Sequence, residues 1–364
     1  MRIPRPGITA VLGLTLVACG RSEPGDALGP DAEQSTAGFH RQDEGGLLYA
    51  SGDLKHPPRN SCFEPGYGQF DFWRGKWNIQ GPAGLINSTS VITRELDGCV
   101  IMEDFIFNGG FQGRSLNIYD ARDDRWYQSF VDNTTGNYRL VGGLEGAEMV
   151  MNADQPAFTP GVGVRQRKSR VVWTPLEDGS VRQIFDESFD GGPVIRTFNG
   201  LYLAADELDR ATPGVNPFCQ SSIPGARQLD FWLGEWKVSE QRGPRLGRSE
   251  VTSSLNGCLI EENFSSMTGF KSRSYQFYDF TVDRWFRTYA DNAGEHFELS
   301  GGLEDGRMVL TGEEIDRKGR TIRLRVIIEP AGERIKQSIE VSRDGGATWK
   351  EDLTLSYSQR KHDD

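Results

Sequence analysis

Positive charge, histidine, cysteine and long apolar runs are all scarce in this chain. Its 364 residues carry 41 Lys and Arg against 52 Asp and Glu, a formal net charge of −11, and the pI is near 5.1. With no basic cluster to neutralise phosphates, nucleic acid is not an expected partner. Of the four histidines, His40, His56 and His362 lie towards the ends, and only His296 sits well inside the sequence. A metal or haem site built on imidazoles, or a Ser-His-Asp hydrolase, therefore has almost no material to work with. The five cysteines show no CxxC or Cys/His spacing, so no zinc site is expected, and no cofactor is expected either. Helical periodicity is almost missing. What is plentiful is Gly (44), Phe (20) and Trp (8), the composition of a turn-rich all-β protein.

The chain also contains itself twice. DFWRGKW at 71–77 returns as DFWLGEW at 230–236, LDGCVIMEDF at 96–105 as LNGCLIEENF at 255–264, and YDARDDRW at 119–126 as YDFTVDRW at 278–285. From Phe70 to Met151 the copies align without a gap, with roughly 32 of about 82 positions identical. A period of about 159 residues is too long for a solenoid unit and marks a duplicated domain. Each copy is long enough for its own core. Positions that agree between copies show what one fold needs, and positions that differ show what one copy can lose.

The amino-terminal residues read as an export signal. Arg2 and Arg5 precede an apolar stretch, Gly7 to Val17, that is too short to span a bilayer. It ends in Leu16-Val17-Ala18-Cys19, which resembles a bacterial lipobox. The resemblance implies removal of residues 1–18 and lipidation of Cys19, giving a membrane-bound chain. Several acyl chains at about 0.8 kcal/mol per buried CH₂ make a stable anchor. Gly20 follows Cys19 where an Asp would signal retention, so the expected location is the outer membrane, on its periplasmic face. Residues 19–61 are rich in Gly, Asp, Glu and Pro with no hydrophobic period. They read as a disordered tether with a reach on the order of 35 Å. The first domain is expected over 62–205, a linker over 206–218, the second domain over 219–358 and a polar tail over 359–364.

Four cysteines remain after Cys19. Cys62 and Cys99 occupy in the first copy the places that Cys219 and Cys258 occupy in the second. In an oxidising compartment the expected pairs are Cys62–Cys99 and Cys219–Cys258, one of three connectivities open to four cysteines. Closing a loop of nearly 40 residues would contribute roughly 3–4 kcal/mol per bond in the chain-entropy model.

Within each copy, short alternating segments are separated by turn residues at spacings of about 8–12. In the first copy strands are predicted near Trp77–Ile79, Ser88–Arg94, Val100–Phe107, Arg114–Asp120 and Trp126–Val131. Others follow near Tyr138–Val141, Glu148–Asn152, Ser169–Thr174, Val181–Glu187 and Ile195–Leu203. DARDD at 120–124, GGLEG at 142–146, EDG at 177–179 and DGG at 190–192 mark hairpins. The expected fold is all-β: two tandem antiparallel up-and-down β-barrels of about 8–10 strands each, because closure removes edges. A two-sheet sandwich is the alternative.

Gly75-Lys76-Trp77 and Gly234-Glu235-Trp236 each place a G-x-W at the first strand, similar to the lipocalin opening motif whose Trp plugs the barrel floor. Each copy further resembles a lipocalin-like bacterial domain of unknown function with the pattern FDFWxGxW, GCxxxE, YDxxxxxW and a late DGGxTW. Those positions are Phe70 to Trp77, Gly98 to Glu103, Tyr119 to Trp126, and Asp344 to Trp349. Leu229 replaces the first Phe in copy two, and Pro193-Val194-Ile195 departs from the last motif in copy one. The resemblance implies a lipocalin-like barrel and brings no activity with it.

Strand alternation singles out Glu103, which shares a face with Ile101 and Phe105, as Glu262 does with Ile260 and Phe264. An inward carboxylate needs a partner or a proton, and Arg114 and Arg273, identical in both copies one strand later, are the expected partners. The other face, Met102 and Asp104 against Glu261 and Asn263, varies as a wet surface would. Trp126, Gln128, Phe130 and Asp132 form a second inward set, matched by Trp285, Arg287, Tyr289 and Asp291. Aromatic and polar groups interleaved in this way suit a pocket for a small hydrophobic or amphipathic ligand. Asp132 and Asp291 at strand ends are expected in turns.

The leading expectation is thus a membrane-anchored binding protein. One alternative is an enzyme using Glu103 or Glu262 as acid/base beside Asp132 or Asp291. Another is a structural envelope protein with filled barrels.

Overall fold

The computed structural model describes residues 62–209, 218–241, 243–316 and 319–360, with side chains. Cys19, the signal and tether segments, most of the linker and the residues after 360 lie outside these. Twenty strands make two closed barrels of ten. Barrel one comprises β1 (Gly75–Gln80), β2 (Ile86–Glu95), β3 (Val100–Phe107), β4 (Gln112–Asp120) and β5 (Arg125–Asp132). It continues through β6 (Asn137–Glu145), β7 (Glu148–Thr159), β8 (Gly163–Pro175), β9 (Val181–Phe189) and β10 (Ile195–Ala204). Barrel two runs from β11 (Gly234–Glu240), β12 (Arg245–Ser254), β13 (Leu259–Ser266), β14 (Lys271–Asp279) and β15 (Arg284–Asp291). It ends with β16 (His296–Glu304), β17 (Arg307–Ile315), β18 (Thr321–Ala331), β19 (Arg334–Ser342) and β20 (Lys350–Gln359).

Every strand pairs antiparallel with its sequence neighbour. The first and last strands then close each sheet, through Trp77↔Ala204 and Trp236↔Gln359. Closure gives every strand two partners and rules out the sandwich. Among the described residues no helix is long and apolar enough to cross a membrane.

The repeated motifs build the floors. Asp71–Trp73 and Asp230–Trp232 are single 3₁₀ turns that lead into the first strand of each barrel. Trp77 Nε1 donates back to the Trp73 carbonyl at 2.8 Å, and Trp236 Nε1 to that of Trp232 at 2.9 Å. Trp126 and Trp285 donate to the Gln69 and Gln228 side chains at 3.0 and 2.9 Å. These rings are almost fully buried, each contributing roughly 1.5–3 kcal/mol. Gly66 and Gly225 are fixed by the same packing, since a Cβ there would lie 2.1 and 2.3 Å from the rings of Tyr119 and Tyr278.

The L-(D/N)-G-C motif has a backbone cause. Leu96, Asp97 and Gly98 all take positive φ (51°, 56° and 104°), and Leu255, Asn256 and Gly257 repeat this at 50°, 56° and 88°. Left-handed backbone favours Asp, Asn and Gly. The turn delivers Cys99 to Cys62 and Cys258 to Cys219, with Cα–Cα distances of 5.0 and 5.1 Å. Both expected disulfides are formed.

The β7–β8 hairpin runs well past the predicted Glu148–Asn152 and Ser169–Thr174. Its upper part holds Pro156, which prediction from propensity rejects in a strand. The register with β6 ends at Val141↔Asn152, while β7 and β8 continue paired to Thr159↔Gly163. Pro156 therefore lies on a free edge, where its missing N–H breaks no bond.

The barrels pack outer face to outer face within one compact unit. On β4 and β14 burial is nearly continuous, because outward Leu116 and Ile118, and outward Tyr275 and Phe277, are covered as completely as the inward residues. Arg139 lies 3.7 Å over the Phe286 ring, and the Tyr127 ring packs tilted at 42° against His296, with centroids 4.6 Å apart. Burial pushes the His296 imidazole down to about 4, against the opposing pull of Asp120, so it is neutral near pH 7. The face of β3 and β13 expected to be wet is so only in part: Asp104 is exposed, but Met102 is buried and Glu261 is buried against Arg114.

Candidate functional site

β3 turns Glu103 into barrel one between Ile101 and Phe105, as period two requires. The carboxyl is buried and meets hydroxyls from three strands. Ser90 Oγ on β2 donates to Oε1 at 2.9 Å, Ser115 Oγ on β4 donates to Oε2 at 3.3 Å, and the Tyr202 hydroxyl on β10 lies 3.5 Å from Oε1. Tyr202 gives its single proton to Gln183 Oε1, so a neutral Glu103 can donate to it in return. Among the described residues no cation pairs with Glu103. Burial pushes its carboxyl up to about 7, and the nearby Asp104 charge adds to this, while the hydroxyl donors pull the other way.

Above Glu103 barrel one is hollow. A cavity of about 230 Å³ is lined by the polar side chains of Glu103, Gln128, Gln183, Glu187, Thr197 and Tyr202 and by the rings of Phe105, Phe111, Phe130, Tyr138, Phe185 and Phe198. Gln128 Nε2 is turned aside to Asn117 Oδ1 at 2.6 Å. Higher up, Arg167 Nε lies 3.6 Å from Glu187 Oε1, which also accepts from Ser169 Oγ at 3.2 Å and from the Tyr138 hydroxyl at 3.3 Å. The Arg167 guanidinium covers the Tyr138 ring at 3.8 Å and donates to the Asn137 carbonyl at 2.6 Å. This upper pair balances itself.

Barrel two keeps the carboxylate cage and fills the space. Glu262 Oε1 accepts from Ser249 Oγ at 2.9 Å and from the Tyr357 hydroxyl at 3.0 Å, and Ser274 Oγ lies 3.4 Å from Oε2. Arg287, at the position of Gln128, adds Nη2 to Oε2 at 3.0 Å and stands 5.6 Å over Trp232. The registers Trp173↔Gln183 and Ile328↔Gln337 match the upper strands of the two barrels. They place Ile322 and Val341 where barrel one has Arg167 and Glu187, and Ile339 and Leu353 where it has Phe185 and Phe198. All four are buried in one continuous apolar core.

The sequence-derived candidates divide accordingly. Glu103, Gln128 and Phe130 meet in the cup, while Trp126 and Trp285 belong to the floors. Glu262 and Arg287 pair inside barrel two, where Tyr289 stacks on Phe297 at 4.5 Å. Arg114 and Arg273 do not partner the glutamates. Glu103 registers with Ser115, so Ser115 faces inward and Arg114 must face out. Arg114 meets Asp104 and Glu261, and Arg273 Nη2 lies 3.1 Å from Glu95, at the contact between barrels.

Asp132 Oδ1 accepts from Thr134 N and Gly136 N, and Asp291 Oδ1 accepts from Ala293 N and Glu295 N. Both are the last residues of their strands, and their side chains cap the turn that follows. Burial pushes the Asp291 carboxyl up to about 7. Ser90, Ser115, Tyr202 and Gln183 were missed as site residues. The two serines are identical in both copies, a signal already in the ungapped alignment, whereas Tyr202 and Gln183 lie beyond it. Among the described residues no three or more His, Cys, Asp or Glu side chains gather as a metal site would need.

No protein-family model matches the chain, and no curated relative does. Among solved structures, a protein of unknown function from the DUF3598 family of Nostoc punctiforme matches at 10% identity, over 82% of this chain and 100% of its own, with a TM-score of 0.16. A proposed outer membrane protein from Bacteroides fragilis matches at 11% identity, over 79% and 95%, also with a TM-score of 0.16. At those scores neither likeness bears on function.

Proposed function

We propose that this protein is a binding protein of the bacterial envelope, that barrel one holds a small amphipathic molecule, and that barrel two is its structural partner. The observation that carries the reading is the contrast between the two interiors: one cup of about 230 Å³ lined by aromatic rings over a few polar groups, and one interior occupied by Arg287 and aliphatic side chains. Concave, mostly apolar sites with a few convergent polar groups are what small-molecule recognition requires. The lipobox-like segment ending at Cys19 supports attachment to the outer membrane.

The test is a fluorescence titration with 1-naphthylmethanol, a bicyclic alcohol of suitable size. One molecule per chain is expected, and none once Gln128→Trp fills the cup, with the thermal midpoint checking that the variant folds. Two molecules per wild-type chain, or one that Gln128→Trp leaves in place, would defeat the assignment. A second reading, acid–base catalysis by Glu103, is favoured by its carboxyl titrating near 7 inside a cavity. Asp132, the expected second carboxylate, is spent on its turn. Hydrolysis of p-nitrophenyl acetate that disappears in Glu103→Gln, with 1-naphthylmethanol still bound, would favour the enzyme.

A further inference from the structure

The chemistry of the ligand can be read from the sister barrel, given that the cup of barrel one is a binding site. β5 and β15 carry Gln128 and Arg287 at the same register position, opposite Asn117 and Gln276. Around them the cage is the same: a glutamate on β3 or β13, serines at 90 and 115 or 249 and 274, and a tyrosine at 202 or 357. In barrel two this cage closes on a guanidinium, with Arg287 Nη2 3.0 Å from Glu262. In barrel one the corresponding side chain is a neutral amide, and it turns away to Asn117. Glu103 and Gln128 both line the cavity, so the space a guanidinium would fill belongs to the cup.

Charge points the same way. Arg167 already has Glu187, which leaves the Glu103 carboxylate as the cup's uncompensated charge. We propose that barrel one takes a small cationic ligand, an amine, amidine or guanidine on an aromatic or aliphatic body, whose head group replaces the Arg287 guanidinium against Glu103. The rings of Phe130, Tyr138 and Phe185, which line the cavity, would enclose the body. A cavity of 230 Å³ exceeds the roughly 150 Å³ that accommodates benzene, so a bicyclic body fits.

Three probes that share one ring system separate the possibilities. They are 1-naphthylmethylamine, 1-naphthylmethanol and 1-naphthoic acid, titrated at pH 8 into the full chain carrying Cys19→Ser to keep it free of lipid. The amine is expected to bind at one site, at least about tenfold tighter than the alcohol, with the acid weakest. Glu103→Gln should erase the preference for the amine, bringing its affinity down to that of the alcohol in the same variant. Gln128→Arg, which supplies the missing guanidinium from within, should abolish amine binding. Equal or tighter binding of the alcohol or acid would overturn the cationic assignment and leave the cup standing. So would an amine preference that survives Glu103→Gln. Failure of all three probes to bind would remove the cup as a binding site, and the cation with it.

Discussion

Two glutamates in matching cages are predicted to behave oppositely when neutralised. Glu103 titrates near 7 in the folded chain and near 4.3 when unfolded. Below about pH 4 both states are protonated and the residue costs nothing. As pH rises towards 7 only the unfolded state loses its proton, so stability falls and then levels off. The penalty is on the order of 3 kcal/mol. Glu103→Gln should therefore raise the urea midpoint at pH 8 and leave it nearly unchanged at pH 4. Glu262→Gln removes the partner of buried Arg287 and should lower the stability at pH 8 by about 3–5 kcal/mol, read as a lower urea midpoint. Equal effects of the two substitutions would show that the cages do not differ as described.

At the scale of strands, β4 and β14 do two jobs. Their inward residues, Ser115 and Ser274, hold the glutamates, and their outward residues join the barrels. Leu116, Ile118, Tyr275 and Phe277 read as ordinary strand residues, and only their burial on the outer face shows that a second sheet covers them. The arginines were misread for the same reason. Identity between copies marked Arg114 and Arg273 as important, but importance does not state a face, and a shift of one residue exchanges inside for outside. Arg114→Ala is expected to leave Glu261 buried without its cation. Arg114 is about one-third exposed, so solvent screening reduces the cost to about 1–3 kcal/mol. Urea unfolding checks this, and an unchanged midpoint would mean that solvent reaches Glu261.

Across the described residues, each copy of the duplicated domain has one closed sheet and one disulfide. Each disulfide ties the segment before the barrel floor to the turn before the third strand, over separations of 37 and 39 residues. Replacing Cys62 and Cys99 with Ser should cost roughly 3–4 kcal/mol, measured by urea unfolding of the oxidised variant beside the wild type. A much smaller loss would mean that the floor packing of Trp73 and Trp77 already restrains this segment. The two barrels differ in their interiors. Barrel two has Arg287, Ile322 and Val341 buried inside it, and barrel one has Gln128, Arg167 and Glu187 at those places and a space above Glu103.

The sequence by itself determined the duplication, the all-β alternation and the inward direction of Glu103, and it favoured closed barrels and the cysteine pairs that the structure then selected. These are local or periodic properties: a period of two, a left-handed L-(D/N)-G turn, a motif that returns at a fixed spacing. Only the tertiary structure decided that Glu103 is met by hydroxyls and Glu262 by Arg287, that Arg114 and Arg273 join the barrels, and that one interior is hollow. Those facts depend on which strands become neighbours across a closed sheet and on how side-chain volumes add up within it. Spacing along the chain carries no record of either.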